Sequence, residues 1–280
     1  MLTPIPSPKF IISFILFLFV AVAFASIRSN YNSHNHHPAM AMRRAPPLLF
    51  PAAAKHTATV IFVHGLGDTG HGWASAVENW RRRQRLDEVK FILPHAPRIS
   101  VTAAEGMFMP GWYDIFALSG KTDDIRKDQD ERGILLSRDY FNGLIQAEID
   151  SGIPANRIVL GGFSQGGAIS LFTGLTSKYK LAGIVALSSY LLLDSKFPDF
   201  VKENDNNHKT PVLMCHGDED QVVPTNFGKV SYELLKSQGF DVTLKIYPGM
   251  AHSACVEELD EVEAFLGARL PAEGEKKSEL

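Results

Sequence analysis

The stretch that decides the fold is Arg157-Ile158-Val159-Leu160-Gly161-Gly162-Phe163-Ser164-Gln165-Gly166-Gly167. Its β-branched beginning predicts a buried strand, and the small residues after Ser164 predict the start of a helix. Between them, the pattern Gly-x-Ser-x-Gly predicts a strained turn that exposes the Ser164 hydroxyl above a sheet. We expect Gly162 and Gly166 to be required, because side chains there would collide with the neighbouring strand and helix. A glycine-rich turn with an incidental serine is the competing interpretation, and the flanking patterns argue against it.

Short β-branched runs alternate with helical patterns on both sides of this stretch. The alternation predicts an α/β fold with a mostly parallel central sheet and helices on both faces. The predicted strands cover residues 59–63, 89–93, 157–160, 182–187, 212–215 and 242–247. The predicted helices lie near residues 73–85, 131–150, 166–177, 226–238 and 256–266. The 280 residues carry a formal net charge of only -3, which gives no electrostatic case for a nucleic-acid partner.

The N-terminal part differs in composition from the rest. Lys9 precedes an apolar run over residues 10–25 that only Ser13 interrupts, and the run ends in small residues. This pattern predicts a signal peptide or signal anchor over residues 1–25, and so the secretory pathway or membrane association. Residues 26–56 lack an apolar period and predict a disordered linker. Residues 57–270 form the predicted catalytic domain, and residues 271–280 form a polar tail. Two segments of the domain interrupt the alternation of strands and helices: the long loop 94–130, and the charged stretch 189–210, which is predicted to be a surface excursion.

A serine hydroxyl needs a base to become an effective nucleophile. In folds where a strained strand-to-helix turn carries the nucleophile, the chain order is nucleophile, acid and then histidine. Three histidines follow Ser164, namely His208, His216 and His252. Because His252 lies in a turn between the last predicted strand and the last predicted helix, it is the expected base.

The acid is expected just after the predicted strand 212–215, where Asp218 and Asp220 compete. The spacing places Asp220 beyond the Gly217 turn, with freedom to face the histidine. Asp218, next to the glycine, is expected to hydrogen-bond the turn's own backbone. We therefore predict that Asp220 fixes the tautomer of His252 and stabilises its protonated form.

A glycine-rich loop follows the first predicted strand and begins at His64. In this arrangement one donor to the developing oxyanion is a backbone N–H of that loop, and a second is the N–H that follows the nucleophile. We predict that these donors are the N–H groups of Leu66 and Gln165. His64 and His71 are expected to fix the loop rather than to take part in chemistry.

The chain resembles the acyl-protein thioesterase and lysophospholipase family of carboxylesterases, which has the α/β-hydrolase fold. The resemblance covers about residues 57–270 and rests on six motifs. They are His64-Gly65-Leu66-Gly67-Asp68-Thr69-Gly70-His71-Gly72-Trp73, Pro94-His95-Ala96-Pro97, Gly111-Trp112-Tyr113-Asp114, Gly162-Phe163-Ser164-Gln165-Gly166-Gly167, His216-Gly217-Asp218-Glu219-Asp220 and Gly249-Met250-Ala251-His252-Ser253.

The resemblance implies hydrolysis of palmitoyl-type thioesters of protein cysteines, or of lysophospholipid esters. It implies the same triad and oxyanion donors, S-acylated proteins or lysophospholipids as partners, and no metal or organic cofactor. The apolar cluster Met107, Phe108, Met109 and Trp112 would line an acyl-chain channel, with ordinary packing of a long loop as the alternative for each. Members of this family are typically cytosolic, so the N-terminal apolar run is a departure and a cytoplasmic location is the alternative.

Two other functions compete with this one. A general carboxylesterase for short acyl or methyl esters would use the same triad with a narrower acyl channel. A ligand receptor would keep the fold and the pocket but turn over negligibly. The complete set of predicted catalytic residues argues against the receptor.

Overall fold

The structure, a computed structural model, describes residues 44–117 and 128–273. Its strands are β1 (Leu48–Phe50), β2 (Ala58–Val63), β3 (Val89–Leu93), β4 (Arg98–Val101), β5 (Met107–Pro110), β6 (Ile158–Phe163), β7 (Gly183–Leu187), β8 (Val212–Gly217) and β9 (Val242–Tyr247). Seven of these described strands form one sheet, in the order β1-β3-β2-β6-β7-β8-β9. β1 is antiparallel to β3, and the other neighbouring pairs are parallel. β4 and β5 form a separate antiparallel hairpin inside the long loop.

Helices cover both faces of the sheet, as predicted. Those in the described residues are α1 (Ala74–Arg82), α2 (Glu131–Asp150), α3 (Gln165–Leu175), α4 (Phe197–Glu203), α5 (Thr225–Ser237) and α6 (Val256–Arg269). Because successive strand residues point to opposite faces, Val60 and Phe62 of β2 pack with α1 and α6. Ile61 and Val63 pack on the other face, against residues of α2 and α3. The two cores hold the parallel strands rigidly between them.

The parallel strands all end at one edge of the sheet. The loops that follow β2, β6, β8 and β9 therefore meet there, and these loops carry the predicted oxyanion donor, nucleophile, acid and base. In open α/β sheets this carboxyl edge is where ligands bind. The order of the strands thus brings together residues that lie up to 188 positions apart, from His64 to His252.

The prediction of a disordered linker over residues 26–56 is wrong for its last part. Leu48–Phe50 forms β1, which pairs with β3 at the edge of the sheet. Arg81 of α1 covers this strand, since its guanidinium donates to Pro51 O at 3.0 Å and lies over the Phe50 ring. Three residues between prolines are too few to show an apolar period, and an edge strand tolerates prolines beside it. The folded domain therefore includes residues that the sequence pattern assigned to the linker.

The stretch 189–210 is the predicted surface excursion only in its middle part, residues 194–206, whose side chains are mostly exposed. Its first part is buried, and it contains the short helix α4. Asn207 is also fully buried, and its side-chain amide donates to Ser177 O and Tyr179 O and accepts from Leu181 N. The composition misled because asparagine, which is usually solvated, here replaces backbone hydrogen-bond partners.

The predicted signal segment 1–25, the linker up to residue 43 and most of the polar tail lie outside the described residues. Within residues 44–117 and 128–273, none of the helices combines the length and apolarity needed to cross a bilayer.

Candidate active site

Ser164 occupies a sharp turn between β6 and α3. Its φ of 54° and ψ of -124° are unfavourable for a residue with a side chain. The neighbouring glycines make the turn possible: a Cβ on Gly162 would lie 2.5 Å from Gly166 O and 2.6 Å from Val63 O. A Cβ on Gly166 would collide with the same Val63 carbonyl. The predicted steric requirement for both glycines is confirmed, and the turn presents the Ser164 hydroxyl at the carboxyl edge of the sheet.

His252 lies within hydrogen-bonding distance of this hydroxyl. Its Nε2 is 2.9 Å from Ser164 Oγ, and its Nδ1 is 2.7 Å from Asp220 Oδ2. A carboxylate only accepts, so Nδ1 carries the proton and Nε2 is left free to accept the Ser164 proton. The Phe163 ring packs against the imidazole, with 4.8 Å between ring centroids. The structure thus brings together the three residues predicted to form the triad.

Asp220 is held as an acceptor on both of its oxygens. Oδ1 accepts the N–H groups of Val222 at 2.9 Å and Val223 at 2.8 Å, while Oδ2 accepts from His252. Burial raises the pKa of this carboxyl, but the donors from His216, His252 and Val223 outweigh burial and hold the pKa well below its ordinary value. Asp220 is therefore ionised throughout the neutral pH range and can stabilise a positive charge on His252.

Asp218 lies outside this series of contacts. It is exposed, and its Oδ1 accepts the N–H of Gly249 at 2.6 Å. The expectation that it bonds its own turn is wrong, because its acceptor atom faces the neighbouring turn that leads to His252. Asp218 thus ties the β8 loop to the β9 loop, while Asp220 faces the imidazole.

The two predicted oxyanion donors belong to residues that adjoin Ser164 or the loop packed against it. Gln165 is the first residue of α3, so its N–H has no partner within the helix. Leu66 follows Gly65, which packs so closely that a Cβ there would lie 3.2 Å from Ser164 Cβ. The dipole of α3 also places partial positive charge beside Ser164. This arrangement suits a negative charge that develops on a substrate oxygen next to Ser164.

His64 holds the loop before Leu66 through both ring nitrogens. Its Nδ1 donates to Gly65 O at 2.7 Å, and its Nε2 accepts from Ala96 N at 3.1 Å. Burial lowers the pKa of His64 to about 4, so the ring is neutral at neutral pH, as these contacts require. His71 contacts His95 at the far end of the loop, with 5.3 Å between ring centroids. The prediction that His64 fixes the loop is confirmed.

Gln165 has a second role that the sequence did not reveal. Its side-chain Oε1 accepts from Trp112 N at 2.9 Å, and its Nε2 donates to Tyr113 O at 2.7 Å. Ser137 of α2 donates to Trp112 O on the other side. The side chain of Gln165 thereby joins the nucleophile turn to the chain that leaves the β4–β5 hairpin. A buried amide this far in sequence from its partners leaves no local signal.

The prediction that Trp112 lines an acyl channel is wrong. Only 2% of it is exposed, and its indole packs on His64, Tyr140 and Phe141. Its Nε1 donates to His64 O at 2.8 Å. Trp112 thus supports the loop that carries Leu66 and offers no surface to a ligand.

The other three predicted channel residues lie on β5. Met107 and Phe108 are 52% and 62% exposed, and Met109 is half-buried. Pro110 O accepts from Gly67 N at 2.8 Å, which joins this strand to the loop that contacts Ser164. An apolar surface therefore begins beside the site, and its role in binding remains a prediction. The described part of the chain contains no group of three or more side chains arranged to bind a metal ion.

A family model of phospholipases and carboxylesterases matches residues 48–270. The chain belongs to the phospholipase/carboxylesterase family. Acyl-protein thioesterase 1 from Neurospora crassa is 64% identical over 242 residues, which are 85% of this chain and 99% of that protein. Acyl-protein thioesterase 1 from Gibberella zeae is 64% identical over 232 residues, or 83% of this chain and 99% of the relative.

Solved structures agree with this family assignment. Acyl-protein thioesterase 2 from Zea mays superposes with a TM-score of 0.70 at 28% identity and covers 80% of this chain and 98% of its own. SOBER1 from Arabidopsis thaliana gives a TM-score of 0.70 at 29% identity, with 76% and 99% covered. The fold is that of the α/β-hydrolases, and the chain is a hydrolase of carboxylic esters or thioesters.

Proposed function

We propose that this hydrolase cleaves long-chain acyl thioesters of protein cysteines, with Ser164 as nucleophile, His252 as base and Asp220 as the residue that orients the base. The observation that carries the proposal is the contact series from Ser164 Oγ through His252 to Asp220, with N–O distances of 2.9 and 2.7 Å. Relatives that are 64% identical are named acyl-protein thioesterases, and this supports a thioester substrate.

The first half of the reaction forms an acyl-enzyme. Ser164 Oγ attacks the thioester carbonyl carbon while its proton passes to His252 Nε2. The N–H groups of Leu66 and Gln165 donate to the carbonyl oxygen as it becomes negative, and Asp220 stabilises the protonated His252. The carbon–sulfur bond then breaks, and His252 returns its proton to the cysteine sulfur, which leaves as a thiol.

The second half releases the acid. A water molecule attacks the Ser164 ester while His252 Nε2 takes one of its protons. The same donors stabilise the second oxyanion, and the proton passes from His252 to Ser164 Oγ as the ester bond breaks. The products are a fatty acid and the free enzyme, so water is the only reactant consumed besides the thioester.

The acyl chain is proposed to lie along the surface of Met107, Phe108 and Met109. Each buried methylene contributes about 0.8 kcal/mol, so even a short apolar surface favours long chains. Lysophospholipid esters are a second candidate class, and the family match to phospholipases favours them. Both classes combine one long acyl chain with a polar leaving group, and they differ in the bond that breaks.

The test compares acyl thioesters of one cysteine peptide, with chains of two, eight and sixteen carbons, and lysophosphatidylcholine. The wild-type protein is assayed beside Ser164→Ala and the exposed control Ser237→Ala. We expect kcat/KM to rise with chain length and Ser164→Ala to lose on the order of 10⁶-fold in kcat, while Ser237→Ala keeps full activity. A preference for the two-carbon chain would favour a general esterase. Equal turnover by Ser164→Ala would contradict the proposal.

We further propose that residues 1–25 direct the chain to a membrane or into the secretory pathway. The support is the apolar run over residues 10–25 and the small residues that end it. Cell fractionation of the full chain beside a chain that begins at residue 44 tests this. Only the full chain should reach a membrane fraction or the medium, and an identical distribution would contradict the proposal.

A further inference from the structure

A second histidine lies against the acid of the triad. His216 is the next-to-last residue of β8, and it is fully buried. Its Nε2 is 2.8 Å from Val223 O and 3.4 Å from Asp220 Oδ2. In the proposed mechanism Asp220 acts through its contact with His252, and His216 has no role.

The contacts fix which nitrogen of His216 carries a proton. Val223 O is a carbonyl oxygen and only accepts, so a distance of 2.8 Å requires a proton on Nε2. Nδ1 is buried and has no hydrogen-bond partner among the residues that the structure describes. The N–H of Nε2 therefore donates to Val223 O, and Asp220 Oδ2 lies 3.4 Å from the same nitrogen.

The ring is also held in this orientation by the backbone of α5. A Cβ on Gly228 would lie 2.5 Å from His216 Nδ1, so the helix lies directly against the imidazole. On the same helix, Thr225 Oγ1 donates to Gly217 O at 2.6 Å and ties the end of β8 to α5. His216 is thus wedged between α5 and the turn that carries Asp220.

We propose that His216 is a positioning residue: its Nε2, fixed by donation to Val223 O and 3.4 Å from Asp220 Oδ2, holds the carboxylate that orients His252. The inference rests on the proposed triad. The main-chain N–H groups of Val222 and Val223 fix Oδ1. In the described residues, two side-chain nitrogens lie beside Oδ2, one from His252 and one from His216. Without His216, Oδ2 is restrained by His252 alone, and the carboxylate can tilt about its two Oδ1 contacts.

The donor has a second effect, on charge. An N–H beside Oδ2 draws part of the negative charge of Asp220 away from His252 and so limits how strongly the carboxylate stabilises the imidazolium. Removing the donor should therefore raise the pH at which Ser164 becomes reactive. The other acidic groups of this turn, Asp218 and Glu219, are exposed, and Asp218 is engaged with Gly249 N. His216 and His252 are therefore the titratable groups of the described chain that face this carboxylate.

Two substitutions of His216 separate the donor from the space that it fills. His216→Gln places an amide N–H near the position of Nε2, whereas His216→Met fills a similar volume with a flexible side chain that has no donor. Gly228→Ala keeps the His216 side chain but displaces its ring, because the added methyl group would lie 2.5 Å from Nδ1. Cys215→Ala removes buried volume from the same strand without touching Asp220 and is the control for loss of stability.

The measurement is the second-order rate of labelling of Ser164 by a fluorophosphonate between pH 5 and 9. This probe reports the reactivity of the serine and does not depend on the true substrate. In His216→Met and Gly228→Ala we expect the midpoint of the acid limb to rise by about half a pH unit and the plateau rate to fall about 3–10-fold. His216→Gln should restore most of both, and Cys215→Ala should lower the melting temperature without moving the midpoint.

The outcomes distinguish this inference from the proposed function. If the wild-type protein itself is not labelled at Ser164, the triad has no activated nucleophile and the proposed function fails. If the wild type is labelled but His216→Met keeps its midpoint and plateau, the positioning role of His216 is wrong. It is also wrong if His216→Gln is impaired as strongly as His216→Met.

Discussion

The turn around Ser164 and the β4–β5 hairpin are neighbours, but their packing differs sharply. The residues on either side of Ser164 are buried, Ser164 itself is half-buried, and the glycines of the turn leave no room for a Cβ. The hairpin turns Met107 and Phe108 to the outside and is joined to the site by the contact of Pro110 O with Gly67 N. The groups proposed for the chemistry are thus fixed by backbone contacts, whereas the surface proposed for the acyl chain is open. Rate and substrate preference should therefore respond to different substitutions.

The most extensive effect, loss of the fold itself, should follow from a methyl group placed in the turn. Gly162→Ala brings a Cβ against the carbonyls of Gly166 and Val63, which belong to backbone that cannot yield cheaply. We expect a loss of about 3 kcal/mol or more in the free energy of unfolding, and little folded protein. Gly143→Ala, in an exposed position of α2 with open space around it, is the matched control and should gain about 0.5–1 kcal/mol. Equal urea midpoints for the two variants would show that the turn has room for a Cβ at position 162.

The next effect concerns rate without loss of fold. Asp220→Asn should lower kcat about 10⁴-fold, because an amide favours the wrong tautomer of His252. Asp218→Asn keeps a carbonyl oxygen for the N–H of Gly249 and should change kcat by less than about 10-fold. Steady-state kinetics with thermal melts for both variants check this. A crippled Asp218→Asn beside a mild Asp220→Asn would reverse the assignment of the acid.

These two predictions also mark what the sequence could and could not reveal. The turn was predictable because a strand pattern, two glycines and a helix start stand together in eleven residues. Asp220 was distinguishable from Asp218 because spacing alone places it beyond the Gly217 turn. Contacts between distant residues were not predictable: β1 depends on its pairing with β3, and nothing near Trp112 in the sequence indicates its bond to His64 O.

One buried carboxyl group has no hydrogen-bond partner among the described residues, and its burial predicts that stability depends on pH. Glu258, in the first turn of α6, is fully buried, and neither carboxyl oxygen has a hydrogen-bond partner among the described residues. Burial raises the pKa of Glu258 to about 8. The unfolded chain loses this proton near pH 4–5, so between there and pH 8 the folded state binds more protons and stability falls as pH rises.

Glu258→Gln removes this dependence. At pH 8 the variant should be more stable than the wild type by about 1–3 kcal/mol, and the difference should shrink towards pH 4.5. The exposed neighbour offers a matched control, Glu257→Gln, which should change stability by less than about 0.5 kcal/mol at either pH. Urea unfolding at several pH values measures both. A wild-type stability that does not fall between pH 5 and 8 beyond the control would contradict a buried, protonated Glu258.

The smallest effect is expected for substitutions in the exposed β4–β5 hairpin. Met107→Ser and Phe108→Ser should raise KM for the sixteen-carbon thioester about 3–10-fold and leave kcat and the two-carbon substrate unchanged. Leu49→Ser, equally exposed but at the β1 edge of the sheet, should change none of these values. A chain-length preference that survives both hairpin substitutions would place the acyl chain elsewhere.

The central claim is that Ser164 forms a covalent acyl-enzyme, and intact-protein mass spectrometry tests it most directly. The protein is mixed with a palmitoyl thioester, quenched in acid within milliseconds to seconds, and digested to locate the modified peptide. The account predicts a palmitoyl adduct on Ser164 that appears and decays during turnover and is absent from Ser164→Ala. Turnover with Ser164 unmodified, or an adduct on another residue that persists in Ser164→Ala, would contradict it.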